Sequence, residues 1–175
     1  MRLGARGRHA LSRLLTPEEL PFDVLGIRIE RAYASRKDNV PPENHSKQYK
    51  YQIIAERSIA ILGINRFVNI ALRPYASVEE VGRAHSRVAE IILKRFAHMR
   101  PSQVTNSEID LHDIPHLRLV VLEGEYMGDN YRIMVFASIV VTEMLYVEFQ
   151  STASSAWEMK DCEYVLRLQL DKLNR

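Results

Sequence analysis

Residues 117–151 read LRLVVLEGEYMGDNYRIMVFASIVVTEMLYVEFQS. Three runs rich in Val, Ile, Leu, Tyr and Phe stand in this stretch: Leu117–Glu125, Tyr131–Val140 and Leu145–Ser151. Each has the length and β-branched or aromatic content of a strand. Gly128-Asp129-Asn130 separates the first two, a composition that supplies the positive φ angles of a tight hairpin. Thr142-Glu143 is the natural second turn. Within the middle run Tyr131, Ile133 and Val135 alternate with Arg132, Met134 and Phe136, and both sets turn apolar toward the centre. The spacing therefore predicts an antiparallel meander whose middle strand is covered on two sides.

On either side of the meander the period changes from 2 to 3.6. Downstream, Ser155-Ala156-Trp157-Glu158 has the form of a capping box, followed by Met159, Cys162, Leu166 and Leu173 on one helical face with Leu170 beside it. Upstream, Ser77-Val78-Glu79-Glu80 is a second capping box, in which the serine hydroxyl and the Glu80 carboxylate can satisfy two orphan backbone donors. The helix that follows is expected to run to Phe96, burying Val81, Ala84, Val88, Ile91 and Phe96. Met99 to Pro115 is polar and reads as irregular connection. Before Ser77, strands are expected at Tyr51–Glu56, at Ile59–Ile64 and over Phe67–Leu72, the last stopped by Pro74. The fold class is α+β: one mostly antiparallel sheet packed with two amphipathic helices.

The first fifty residues differ in character. They carry ten lysines and arginines against six acids, and no acid precedes Glu18. Arg2, Arg6, Arg8 and Arg13, with Leu3, Leu11, Leu14 and Leu15, follow the pattern of an organelle transit peptide, or of a retained basic arm that docks on a partner. We expect the retained arm, with these four arginines facing the partner. Thr16-Pro17-Glu18-Glu19-Leu20 opens a short helical turn and Val24–Tyr33 reads as a strand. A polar loop with Pro41-Pro42 then separates an arm over residues 1–48 from an α+β domain over residues 49–175.

Composition bounds the function. The 175 residues are 46% hydrophobic and 26% charged, which suits a folded chain of about one domain. The net charge of +2 does not imply nucleic acid as a partner of the whole surface, leaving it to the basic arm alone. One cysteine, Cys162, excludes an internal disulfide. No apolar run approaches the roughly 20 residues of a membrane span.

From Phe67 to Leu173 the order of features resembles the PsbP-like superfamily. A strand leads through Pro74 and Ser77 into a helix, and His116-LRLVVLEGEY-Met127 follows. A turn with Gly128 then leads to YRIMVFASIVV, and LYVEFQSTASSAWEMKDCEYVL closes with a strand feeding a terminal helix. That superfamily includes the extrinsic oxygen-evolving subunit of photosystem II and a Ran-binding nuclear-import factor. The resemblance implies an α/β/α sandwich and a non-enzymatic accessory or adaptor role. The extended basic start and Pro115 depart from the family, and none of its binding residues is carried over.

Candidate chemistry is sparse. Asp110, His112, Asp113 and His116 form, with Glu108, the densest polar cluster, and imidazoles with carboxylates at these spacings are weak candidates for a divalent metal against the alternative of a solvated turn. Cys162 falls on the apolar stripe of the last helix, where a thiol packs as a small hydrophobe. Tyr49-Lys50-Tyr51 offers aromatics beside a base, a weak nucleobase-stacking motif. There is no glycine-rich phosphate loop, no Gly-x-Ser-x-Gly elbow and no paired zinc-ligand helix. These observations favour an accessory subunit without cofactor, binding other protein subunits, in a mitochondrion or other organelle or else a bacterial cytoplasm. A small-ligand, lipid-binding or catalytic helix–sheet pocket and an RNA-contacting subunit are the alternatives.

Overall fold

Among the described residues seven antiparallel strands form a single sheet in the order β1-β2-β3-β7-β6-β5-β4. The computed structural model describes residues 4–35, 52–63, 65–111 and 113–175. In chain order the elements are α1 (Ala5–Ser12), β1 (Val24–Ser35), β2 (Gln52–Ile61), β3 (Arg66–Pro74), α2 (Val78–Ser86), α3 (Val88–Arg95), β4 (Gln103–Leu111), β5 (Ile114–Tyr126), β6 (Asp129–Val140), β7 (Glu143–Thr152) and α4 (Met159–Leu173). The fold is α+β, as the two periodicities predict. Among the described residues no helix is long and apolar enough to cross a membrane.

Two apolar layers sandwich the sheet. On one face Leu11, Leu14 and Leu15 of the N-terminal segment, with Trp157, Cys162, Val165 and Leu166, pack on Ile59, Ile70, Leu117, Phe136, Val147 and Phe149. On the other, Val81, Val88, Ile92 and Phe96 pack on Val120, Leu122, Ile133, Val135, Ala137 and Met144. β6 and β7 contribute to both layers, so their near-continuous burial follows from apolar side chains on both faces of the pleat. The β5–β6 hairpin closes on Met127 and Gly128, both at positive φ (54° and 88°), between the paired Tyr126 and Asp129. This is the two-residue turn that matches strand twist, one residue earlier than the glycine-led reading placed it.

Several local expectations change. Tyr51–Glu56 and Ile59–Ile64 do not form two strands: Gln52–Ile61 is continuous through Arg57-Ser58. Arg57 looks like a turn in sequence because it is charged, yet it is buried with its guanidinium under α1. Residues 103–111, expected to be irregular, are β4, an edge strand so exposed that it carries no apolar alternation to read. The Ser77 cap forms, Ser77 accepting from the Glu80 amide at 3.1 Å while Glu80 accepts from the Ala76 amide. The helix after it breaks at Arg87 (φ −108°, ψ 16°), and its buried stripe is Val81-His85-Val88-Ile92-Phe96. Ser155 does not cap α4: residues 153–155 form a single 3₁₀ turn and Glu158 occupies the cap position without a side-chain bond.

The segment 1–48, expected to form an arm, supplies over its described residues a helix and an edge strand of the same sheet. Two buried polar side chains fasten it. Arg57 donates to the carbonyls of Leu14 and Leu15 at 2.8 and 2.7 Å and to that of Leu11 at 3.3 Å, with Nε 2.7 Å from Glu30. It holds the turn that follows α1 and reaches the Leu11 carbonyl in the last turn of that helix, where a cation also suits the helix dipole. Gln169 of α4 accepts from the Leu15 amide at 2.8 Å and donates to the Arg13 carbonyl at 2.9 Å.

Candidate partner-binding face

The two layers are not equally wide. α2 and α3 pack over β5, β6 and β7, and among the described residues no helix covers the same face of β1, β2 and β3. Strand parity assigns the side chains there. Arg31 stands opposite Glu56, Tyr33 opposite Ile54, and Ser58 opposite Asn69, which in turn stands opposite Glu148 of β7. Along the outer strand Leu25, Ile27 and Ile29 are 66%, 47% and 46% exposed; register sets Ile29 opposite Ser58 on this face and Ile27 opposite Ile59, on the face of α1.

The floor of this half-sheet is polar and sealed. Glu148 is 1% exposed. It accepts from Asn69 Nδ2 at 2.5 Å and from the Gln150 amide, and it lies 3.0 Å from the Arg95 guanidinium at the end of α3. Because a carboxylate can only accept, this contact fixes the Asn69 amide with Nδ2 toward Glu148 and leaves Asn69 Oδ1 buried without a donor. Nearby, Arg31 Nε donates to Glu56 at 2.5 Å and the Tyr33 hydroxyl donates to the same carboxylate at 3.2 Å. The bond from Glu56 raises the Arg31 pKa, and desolvation followed by the Glu56 charge raises that of Tyr33. Burial, with Tyr75 alongside, holds the Tyr146 hydroxyl far above the usual phenol range. Arg28 stacks on Phe67 with its guanidinium carbon 4.4 Å from the ring centre. Arg28, Arg31, Arg95, Asn69 and Glu148 all border one half-enclosed cavity of about 170 Å³.

The residues singled out in the sequence lie elsewhere. Of the four arginines, Arg2 is outside the described residues, while Arg6 and Arg8 are exposed on α1. Arg13 is engaged internally, pairing in bidentate fashion with Glu143 of β7 at 2.8 and 2.5 Å, and that bond raises its pKa. Arg6, His9 and Arg13 border an open groove of about 460 Å³ beside Ile53 and Pro74.

Of the metal candidates, His112 is outside the described residues, Asp110 is exposed on β4, Asp113 pairs with Arg167 of α4, and His116 sits exposed at positive φ. Among the described residues no group of three or more His, Cys, Asp or Glu side chains gathers as a metal site. Tyr49-Lys50-Tyr51 also falls outside them. Cys162 is wholly buried, and desolvation pushes its thiol up to about 12, so it packs and does not react.

Sequence reasoning missed the half-sheet because each member looks ordinary alone. Only strand order brings Arg28 and Arg31 next to Glu148, more than a hundred residues away. Compared with family models, with curated proteins and with solved structures, the chain matches none.

Proposed function

We propose that this protein is a non-enzymatic accessory or adaptor subunit that binds a protein partner on the exposed half of its sheet, across β1 to β3. The observation that carries this reading is the outer strand. Ile29 leaves close to half of its surface in water on the same face as Arg28, Arg31 and Tyr33, and Leu25 and Ile27 of the same edge strand are also largely exposed. Aromatic, arginine and aliphatic side chains on a rigid sheet are what interface hot spots are made of. Exposed apolar surface of this kind on an edge strand is a liability unless a partner covers it.

The resemblance to PsbP-like accessory proteins points the same way. The tightly filled layers between helices and sheet favour it over a lipid-sized internal pocket. The RNA-contact reading loses Arg13 to Glu143. The clamp on α1 by Arg57 and Gln169 supports a segment that stays with the working protein in preference to a presequence that leaves it.

The test is crosslinking of the full chain in native extract, with the crosslinked positions mapped. Crosslinks from Leu25–Tyr33 to one recurrent partner, lost in an Ile29→Asp, Arg31→Glu variant of unchanged thermal stability, are the expected result. A free monomer whose crosslinks ignore that strand would overturn the reading.

A further inference from the structure

The cavity in the middle of this half-sheet has a chemistry of its own. Three guanidiniums border it, from two positions on β1 and from the end of α3, against the two carboxylates of Glu56 and Glu148. Arg57 also borders it, but its guanidinium is turned to the far face and taken by Glu30 and α1. Both carboxylates are already held, Glu56 by Arg31 and Tyr33, Glu148 by Asn69, Gln150 and Arg95. The guanidiniums are far from saturated. Each offers five N–H donors, and Arg31 and Arg95 are matched to these carboxylates through Nε and one terminal nitrogen respectively. Arg28 uses its flat face on Phe67, which leaves its in-plane donors directed sideways.

The site therefore presents one uncompensated positive charge and many free donors, together with a buried acceptor, Asn69 Oδ1, that has no donor. An inorganic anion without a proton, chloride or sulfate, would satisfy the first feature and not the second. A chain terminus satisfies both: its carboxylate takes the guanidinium forks, and the last peptide N–H, a few bonds away, is the donor Asn69 lacks. At about 30 Å³ for each water displaced, a half-enclosed space of about 170 Å³ admits a group of about six heavy atoms, an end of a chain and not a passing strand.

Resting on the reading of this face as a docking surface, we propose that the cavity walled by Arg28, Arg31 and Arg95, with Asn69 in its floor, receives the C-terminal carboxylate and last peptide N–H of the partner chain. The probe is N-acetylglycine, titrated into the full chain at constant ionic strength and followed by amide chemical shifts. Saturable shifts at Ser58, Asn69 and Gln150 are expected. Arg28→Gln should weaken binding by about tenfold, the loss of one charge-assisted hydrogen bond. N-acetylsarcosine, which lacks the N–H, should bind several-fold more weakly to the unaltered chain, and acetate likewise. Arg87→Gln, on the outer surface of the helix pair, should change nothing.

Equal affinity for N-acetylglycine and N-acetylsarcosine would remove Asn69 from the site. Tighter binding of N-acetyl-aspartate N-methylamide would replace a chain end by an internal acidic residue. Identical shifts with chloride alone would abolish the pocket. Because no partner is present, these failures are separate from failure of the docking face, which the crosslinks report.

Discussion

Replacing Arg57 by methionine should destabilise the protein by about 3–5 kcal/mol, the usual cost of removing one member of a buried charged network. The side chain is 6% exposed and makes three hydrogen bonds to the carbonyls of Leu15, Leu14 and Leu11, at the end of α1 and just beyond it, at 2.7, 2.8 and 3.3 Å, besides its pair with Glu30. Hydrogen bonds from a charged donor contribute about 1.5–3 kcal/mol each. The three belong to one guanidinium and are not additive, so the sum is an upper bound. Methionine relieves the desolvation of the charge but takes the side-chain donor from the carbonyls of Leu14 and Leu15 in a water-poor site, while the Leu11 carbonyl keeps the Leu14 amide.

For comparison, Leu14→Ala removes a fully buried side chain beside the same clamp and should cost about 2–5 kcal/mol by cavity formation alone. Polar clamp and apolar packing are therefore of one size here, and neither can be dropped without the other being strained. Arg57→Lys keeps the charge but loses the fork, and should cost less than methionine. Urea unfolding followed by circular dichroism measures the effect, with hydrogen exchange at the α1 and Leu15 amides reporting whether the segment opens first. A midpoint for the methionine variant within about 0.5 kcal/mol of the unaltered chain, the scatter of ordinary surface changes, would refute the clamp. So would α1 amides that stay fully protected in it.

Two further outcomes follow from local geometry. The buried ring of His85 faces His116 and Arg118 of β5 and lies against the carbonyls of His116 and Ala137. Its pKa is lowered from the ordinary 6.5, first by burial and then by the Arg118 charge. The unfolded chain therefore takes the proton first, so stability is full above pH about 6.5 and falls as the pH drops below it, by up to about 1.4 kcal/mol per pH unit. Urea midpoints between pH 8 and 5 should show this slope, and a His85→Gln variant with the same slope would show that another group causes it. Met127 holds φ 54° at the first position of the β5–β6 turn and is 88% exposed, so nothing but the turn constrains it. Met127→Asn should raise stability by about 0.5–1 kcal/mol, since asparagine tolerates this conformation; no gain in thermal midpoint would mean that the strand pairing alone sets the turn.

The elements that sequence periodicity located well are those whose apolar pattern and burial coincide. β5, β6 and β7 carry side chains that are apolar wherever a helix lies over them, and Ser77 caps its helix because the hydroxyl and Glu80 sit in adjacent turns whatever the rest of the chain does. β4 was invisible for the opposite reason. Its hydrogen bonds to β5 run through the backbone from Gln103 to Leu111, while Thr105, Asn106, Ser107 and Glu108 face water, so no alternation records the pairing. Arg57 misled because charge in a strand normally marks an end. Its guanidinium is needed by carbonyls that only the folded position of Leu11–Leu15 brings near.

The same distinction explains why the candidate site was not legible. Leu25, Ile27 and Ile29 predict a strand correctly but do not say what covers it, because burial belongs to whatever lies above a strand and not to the strand itself. Compare the two edges of the one sheet. β4 ends it with polar side chains, the usual protection of an unpaired edge. β1 ends it with exposed aliphatic ones and Arg28 and Arg31, and its register shifts at Leu25 and Arg28 confine regular pairing to the stretch from Ile29 onward. Where one sheet guards one edge and leaves the other apolar, the unguarded edge is where cohesive surface is held in reserve, and a partner docked there, as proposed, would gain the burial that the chain's own helices supply to β5, β6 and β7.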